Sequence, residues 1–313
     1  MGNINLKDAF SEALIQAAYH DKRIIVVDPE VARSTKMREF AMAHPDSFYE
    51  MGVAEQNSVG VAAGLASGGN IVFVVAFAPF AVMRPIEIIR TSVAYPKQNV
   101  KIVGQYAGFT DGKDGATHEC LEDIGMMRTI PDMTIVSPSD AAMTRGLVHA
   151  AIAHEGPMYI RLDNESVPAI YPEDFRFEVR KAYKLKEGGD VTLAAYGTAV
   201  HRILEASKEL EAQGIHAEVI DMATIKPIDR ATLLASLRKT GRLVTLEDHN
   251  IHAGLASAIA EVVLGSGINP GFRAVAVREQ FGISGSLEGI REFFGLTAHD
   301  VALAAKELMR ERV

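Results

Sequence analysis

Cysteine is almost absent. Cys120 is the only one in 313 residues, so no internal disulfide can form, which fits a reducing compartment. Dense Lys/Arg blocks are also missing, and the formal net charge is -8. That balance leaves no electrostatic footprint for nucleic acid. Anionic substrates stay open, because a few local arginines outweigh a global charge. Long apolar runs are lacking too. The longest, Ile71 to Met83, is interrupted by Pro79 and falls short of the ~20 residues that a membrane span needs. The stretch from Met1 to Gln16 has no basic-then-apolar export pattern. The expectation is a soluble cytoplasmic protein with no membrane or nucleic-acid partner. No short repeats or low-complexity tracts occur.

What is present is a regular alternation. The chain is 48% hydrophobic, and its length suits two domains, each with its own core. Ala9, Phe10, Ala13, Leu14, Ala17 and Ala18 recur at helical spacing. Compact apolar runs follow at Ile24–Val27, Ile71–Phe77, Val100–Val103, Met133–Val136 and Met158–Ile160. Runs buried on both faces read as central parallel strands. Helical stretches are expected at Phe80–Ala94 and Asp140–His154. Pro168, Pro172 and the pair Gly188-Gly189 mark a change of character that reads as a linker. The alternation then resumes with Val191–Ala195, Ala217–Ile220, Leu243–Leu246 and Ala274–Val277, and Thr297 to Asp300 reads as a helix start. The expected fold is α/β, with two doubly wound, mostly parallel-sheet domains. The boundaries are residues 1–170, a linker over 171–189, and 190–313.

Four clusters carry candidate chemistry. In Gly52-Val-Ala-Glu55-Gln56-Asn57, a carboxylate stands where a loop enters a helix from Ser58 to Ala66. The helix dipole favours a Glu there whatever its role. Phe77 and Phe80 lie at the carboxyl end of a strand, where open α/β sheets bind ligands. They suit stacking on a flat ring or capping a core. The loop from Gly108 to Glu119 holds three glycines, Asp111, Asp114 and His118. Such loops are often functional, and a histidine there suits proton transfer or carbonyl polarisation. A Gly/Asp-rich turn is the plainer alternative, and no familiar metal-ligand spacing appears. Arg161, just past a strand, suits a phosphate clamp or an ion pair.

Taken in order, these clusters resemble the pyrimidine-binding and C-terminal domains of transketolase. Gly52 to Asn57 is similar to the family's GIAEQN element, and Phe77 with Phe80 to its paired aromatics. Gly112-Lys-Asp114-Gly-Ala-Thr117-His118 resembles its GEDGPTHQ loop. Asp28-Pro-Glu30-Val-Ala-Arg33-Ser34-Thr35 resembles the DADLSKST stretch of split transketolases. Lys226-Pro-Ile-Asp229 and Glu247-Asp-His249 fit the C-terminal domain. The resemblance spans nearly the whole chain, with several motifs in register.

The resemblance implies thiamine diphosphate as cofactor. Glu55 and His118 would be the catalytic residues. Glu55 would hydrogen-bond the aminopyrimidine and favour its imino tautomer, with Phe80 stacking on that ring, Phe77 beside it and Glu30 near the thiazolium. Asp114 and His118 would bind the donor sugar, and Ser34 and Arg161 its phosphate. Three positions depart from the family pattern. Glu30 stands where Asp is usual, Met83 where Tyr is, and Tyr106 where a substrate-contacting His is. Tyr106 points to an unusual sugar, branched or sulfonated. The family's GDG…N signature for Mg²⁺ and diphosphate does not occur in this sequence. A second polypeptide, an N-terminal transketolase subunit with that domain, is therefore expected, in an α2β2 assembly. No metal site is expected on this chain. Rival readings are the beta subunit of a 2-oxoacid dehydrogenase, deoxyxylulose-phosphate synthase, and a non-catalytic subunit that kept the fold.

Overall fold

β-Branched runs bounded by turn-forming residues become the strands of two sheets, and helices cover both faces of each. The computed structural model describes residues 3–310. The larger sheet contains, in spatial order, Thr224–Lys226, Thr134–Val136, Met158–Leu162, Val100–Gln105, Ile71–Phe77, Ile24–Asp28 and Phe48–Glu50. All pairings are parallel except that of Thr224–Lys226, which is antiparallel. Ile24–Asp28, Val100–Gln105 and Met158–Leu162 are buried along their whole length, as continuous apolar runs in a two-sided parallel sheet should be. Helices Leu6–His20 and Ala141–Ala153 cover one face over Phe10, Phe40, Phe73 and Leu147. Helix Glu55–Ser67 covers the other with Val59, Ala62, Ala63 and Ala66.

The smaller sheet runs Gly271–Val277, Arg242–Asn250, Val191–Ala195, Ala217–Asp221 and Tyr183–Lys186, with only the last pairing antiparallel. Helices Ala199–Glu211 and Ala298–Arg310 pack on one face through Ile203, Leu210, Val301 and Leu308. The expected start at Thr297 is a reciprocal cap. Its backbone N–H donates to Asp300 Oδ2 at 2.9 Å, and the Asp300 N–H donates to Thr297 Oγ1 at 3.3 Å.

Three expectations are revised. The stretch 171–189 is no free linker. Tyr171 and Phe175 pack against the first core, and Tyr183–Lys186 joins the second sheet. The second half also returns Thr224–Lys226 to the first sheet, and one apolar cluster runs from Val74 through Tyr196 to Leu255. The expected helix Phe80–Ala94 breaks into Ala78–Val82, Ile86–Ile88 and a wide turn over Ile89–Ala94, because Pro85 lacks an N–H and constrains its predecessor. The helix expected from Ser58 starts at Glu55.

The sheet order fixes where a ligand can sit. From Ile24–Asp28 the chain passes to the Phe48–Glu50 edge, whereas from Ile71–Phe77 it passes to Val100–Gln105 on the other side. The crevice beyond the carboxyl ends of these neighbours is the switch point of an open α/β sheet. Among the described residues, no helix is long and apolar enough to cross a membrane.

Candidate active site

Beyond the Phe48–Glu50 strand, Gly52 turns the chain with a positive φ of 68°, a conformation that glycine adopts without strain. Glu55 is thereby the first residue of its helix, 7% exposed, where the helix dipole favours a carboxylate. Its Oε1 accepts from Arg84 Nη1 at 2.5 Å. The Arg84 guanidinium lies over the Phe80 ring, 4.3 Å from the centroid.

Phe80 and Phe77 stand 6.2 Å apart at the carboxyl end of Ile71–Phe77. The His118 ring meets both, 5.2 Å from Phe80 and 6.1 Å from Phe77. His118 Nδ1 lies 3.0 Å from Thr117 Oγ1. Three of the four predicted clusters thus converge at the switch point: a buried carboxylate, an aromatic pair and a histidine. Buried polar groups against flat apolar faces suit an aromatic heterocycle whose ring nitrogen needs a carboxylate partner.

Tyr106 closes one side. Its ring is 4.5 Å from that of Phe77. Its hydroxyl accepts from Lys7 Nζ at 2.7 Å and donates to the Ser34 carbonyl at 3.1 Å. Tyr106 holds a positive φ of 55°, a strained conformation of the kind that clusters at functional sites. Ser34 is exposed on the short helix Ala32–Thr35. Glu30 is exposed with φ 68°, and Asp114 is exposed in the histidine loop.

Arg161 overturns its expected role as a phosphate clamp. It is 1% exposed. Its Nε donates to Asp123 Oδ2 at 2.9 Å, Nη1 to Asp163 Oδ1 at 3.1 Å, and Nη2 to the Asp248 carbonyl at 2.9 Å. Burial disfavours its charge, but Asp123, Tyr196 and Asp163 outweigh that and hold its proton more tightly than usual. The side chain points into the seam between the domains. The strand does not end at Ile160 but runs on through Arg161 to Leu162, so this side chain is held within the sheet rather than beyond its carboxyl end.

Other acids near the site are strained by burial. Glu119 is 4% exposed, and neither carboxylate oxygen has a partner. Burial and the nearby Asp111 push its pKa up to about 7. Burial and Asp114 push Asp111 up to about 6, against the pull of His118 and Lys7. Asp28, at the end of its strand, is pushed up to about 7 by burial and Glu50, although the Val31 N–H donates to it. Among the described residues, no group of three or more His, Cys, Asp or Glu side chains is disposed to hold a metal ion.

The comparisons decide the family. Residues 2–169 match the family model for the transketolase pyrimidine-binding domain, and residues 180–301 match that for the transketolase C-terminal domain. The chain belongs to the transketolase family. It is 39% identical, over 98% of its length and 96% of the relative's, to a putative transketolase C-terminal section of Methanocaldococcus jannaschii. A 6-deoxy-6-sulfo-D-fructose transketolase subunit of Clostridium sp. (strain MSTE9) is 40% identical over 98% of this chain and 95% of its own. Among solved structures, a split gene transketolase described as an inactive beta4 tetramer superposes with a TM-score of 0.89. It is 44% identical, over 98% of this chain and 99% of that one. The chain therefore corresponds in extent to the C-terminal subunit of a split, thiamine-diphosphate-dependent transketolase, which works with a partner subunit.

For this transketolase, sequence reading missed two cations. Lys7 sits in the first helix at no recognisable motif, and only the fold brings it to Tyr106. Arg84 follows the aromatic pair by four residues, a helical spacing that could have flagged it.

Proposed function

We propose that this chain supplies the pyrimidine side of a thiamine-diphosphate site and, with a partner carrying the Mg²⁺ and diphosphate ligands, transfers a two-carbon ketol unit from a ketose to an aldose. The observation that carries this reading is the buried Glu55 carboxylate at a helix N-terminus, beside Phe80 and His118. When bound, thiamine diphosphate supplies the carbon nucleophile and holds the electron pair of the transferred fragment. Glu55 would hydrogen-bond the ring nitrogen of the aminopyrimidine, accepting from its N–H in the imino tautomer and so favouring that form. Its low exposure strengthens that contact. Phe80 would stack on the ring with Phe77 behind it, and Glu30 would serve the thiazolium side. His118 and Asp114 bind the donor's hydroxyls, and His118 donates toward the oxygen on which charge develops.

In place of Arg161, Lys7 with Ser34 forms the end that receives an anionic sugar terminus. Tyr106 narrows that end, which favours a sugar other than the usual pentose and hexose phosphates. Relatives that match this chain over nearly their full length are named as a C-terminal section or a subunit, which supports a partner chain; the partner in this reading is an N-terminal subunit bearing GDG…N, in an α2β2 complex. The buried Cys120 is compatible with a reducing cytoplasm.

The test is reconstitution with the partner chain and a screen of ketose donors and aldose acceptors, phosphorylated, branched and sulfonated. Glu55→Gln should stay folded yet lose nearly all ketol transfer. Wild-type-like turnover in that variant would refute the role of Glu55. Lipoyl-carrier-dependent turnover of a 2-oxoacid would favour the dehydrogenase reading, and condensation of pyruvate with glyceraldehyde phosphate the synthase reading.

A further inference from the structure

Arg84 occupies both contacts that the proposed reading reserves for the aminopyrimidine ring. The cause lies in Met83-Arg84-Pro85. Pro85 ends the helix Ala78–Val82 and starts a separate turn at Ile86–Ile88. Arg84 stands four residues after Phe80, one helical turn away, and reaches back across that ring. Its guanidinium carbon is 4.3 Å from the ring centroid, and Nη1 donates to Glu55 Oε1 at 2.5 Å. Gln56 Nε2 donates to the Arg84 carbonyl at 3.2 Å, which ties this turn to the helix of Glu55.

A guanidinium and an aminopyrimidine share the features that matter here. Both are flat, both stack on an aromatic face, and both carry an edge nitrogen able to hydrogen-bond a carboxyl group. One ring face and one carboxylate oxygen cannot serve both at once. The arrangement also has a physical reason within this chain. The Glu55 side chain is only 8% exposed, and a buried carboxylate without a partner is costly. The Arg84 side chain is 48% exposed, so it has open solvent to move into.

We propose that Arg84 is a built-in placeholder: it closes the pyrimidine site on itself before the cofactor binds, and the cofactor loads only as it swings out. The proposal rests on the reading of Glu55 and Phe80 given above. Thiamine diphosphate must displace one half-exposed ion pair and one cation–π contact, so Arg84 weakens apparent affinity and slows loading.

The test is calorimetric titration of thiamine diphosphate with Mg²⁺ into the complex of this chain and its partner subunit. Arg84→Met should bind about threefold to tenfold more tightly than wild type, given the ordinary strength of such contacts. Arg84→Lys, which keeps the charge and loses the flat face, should fall between. Equal or weaker binding by Arg84→Met overturns the proposal. A wild-type complex that binds no thiamine diphosphate instead sinks the site reading itself, so the two failures are distinguishable. A second measurement needs neither partner nor cofactor. In the chain alone, Arg84→Met leaves Glu55 unpaired, and amide exchange over residues 55–58 should rise about threefold or more. Arg84→Lys should keep wild-type rates. Unchanged exchange in Arg84→Met also overturns the placeholder.

Discussion

Replacing Arg161 with Met separates a structural arginine from a substrate clamp. The substitution keeps an unbranched stem as far as the position of Nε and removes three hydrogen bonds of 2.9, 3.1 and 2.9 Å. It leaves Asp123 and Asp163 buried, at 0% and 4% exposure, without their cation. Each keeps some support. Tyr159 Oη still donates to Asp123 at 2.7 Å, and the Thr198 N–H and hydroxyl donate to Asp163 at 2.8 and 2.9 Å. Breaking a buried pair by removing one partner costs about 3–5 kcal/mol. At roughly 2–4 °C per kcal/mol for a chain of this size, Tm should fall by about 6 to 20 °C. Scanning calorimetry on the isolated chain checks this directly. A lysine cannot supply the fork to two carboxylates, so Arg161→Lys should show a smaller loss of the same sign. A clamp would behave otherwise, with Tm held and KM raised for phosphorylated sugars only. Arg161→Met melting within about 2 °C of wild type, with such a KM rise, would refute the structural account.

Other perturbations read other parts of the molecule. Glu119→Gln tests burial of an unpartnered acid. Its pKa is raised from 4.5 to about 7, so the fold favours the neutral form. That contribution is full below 4.5 and is lost as pH rises through about 7. The variant should therefore gain in Tm over wild type on going from about pH 5 to about pH 8, and an equal gap at both would count against the burial argument. Tyr106→Phe removes the hydroxyl that links Lys7 to Ser34. Stability should drop by about 1 kcal/mol, with a change in KM for anionic sugars, and an unaltered KM profile would remove Tyr106 from the substrate end. Gly188→Ala would put a Cβ 2.1 Å from the Ala217 carbonyl carbon and 2.3 Å from the Glu218 nitrogen. Backbone cannot yield as a flexible side chain does, so urea unfolding should show a loss of about 1–3 kcal/mol. Phe80→Ala should weaken thiamine-diphosphate binding by the complex by about tenfold, through the lost stacking surface. Unchanged affinity would argue that the ring lies elsewhere.

Much of the architecture was legible before any coordinates. Val191–Ala195 was expected and is observed with the same ends, because a central parallel strand is apolar throughout and turn-formers bound it. Glu55, Phe77, Phe80 and His118 stood out as candidates in their local patterns, and only the family resemblance gave them their proposed roles. Thr224–Lys226 was not. It pairs with a strand about ninety residues earlier, and a short edge segment carries little periodicity of its own. Arg161 was misjudged because the strand extends through it to Leu162, and the partner that holds it, Asp123, lies on a separate helix.

The order of strands and helices, the two-domain plan and the burial of central runs were all written in the sequence. Each follows from hydrophobic pattern and residue chemistry within a few turns of chain. Tertiary structure alone decided which cations meet which acids. It brought Lys7 to Tyr106 across 99 positions, laid Arg84 over Phe80 and against Glu55, and turned Arg161 inward. Ion pairs are set by distances through space, and those are fixed only when both cores have closed.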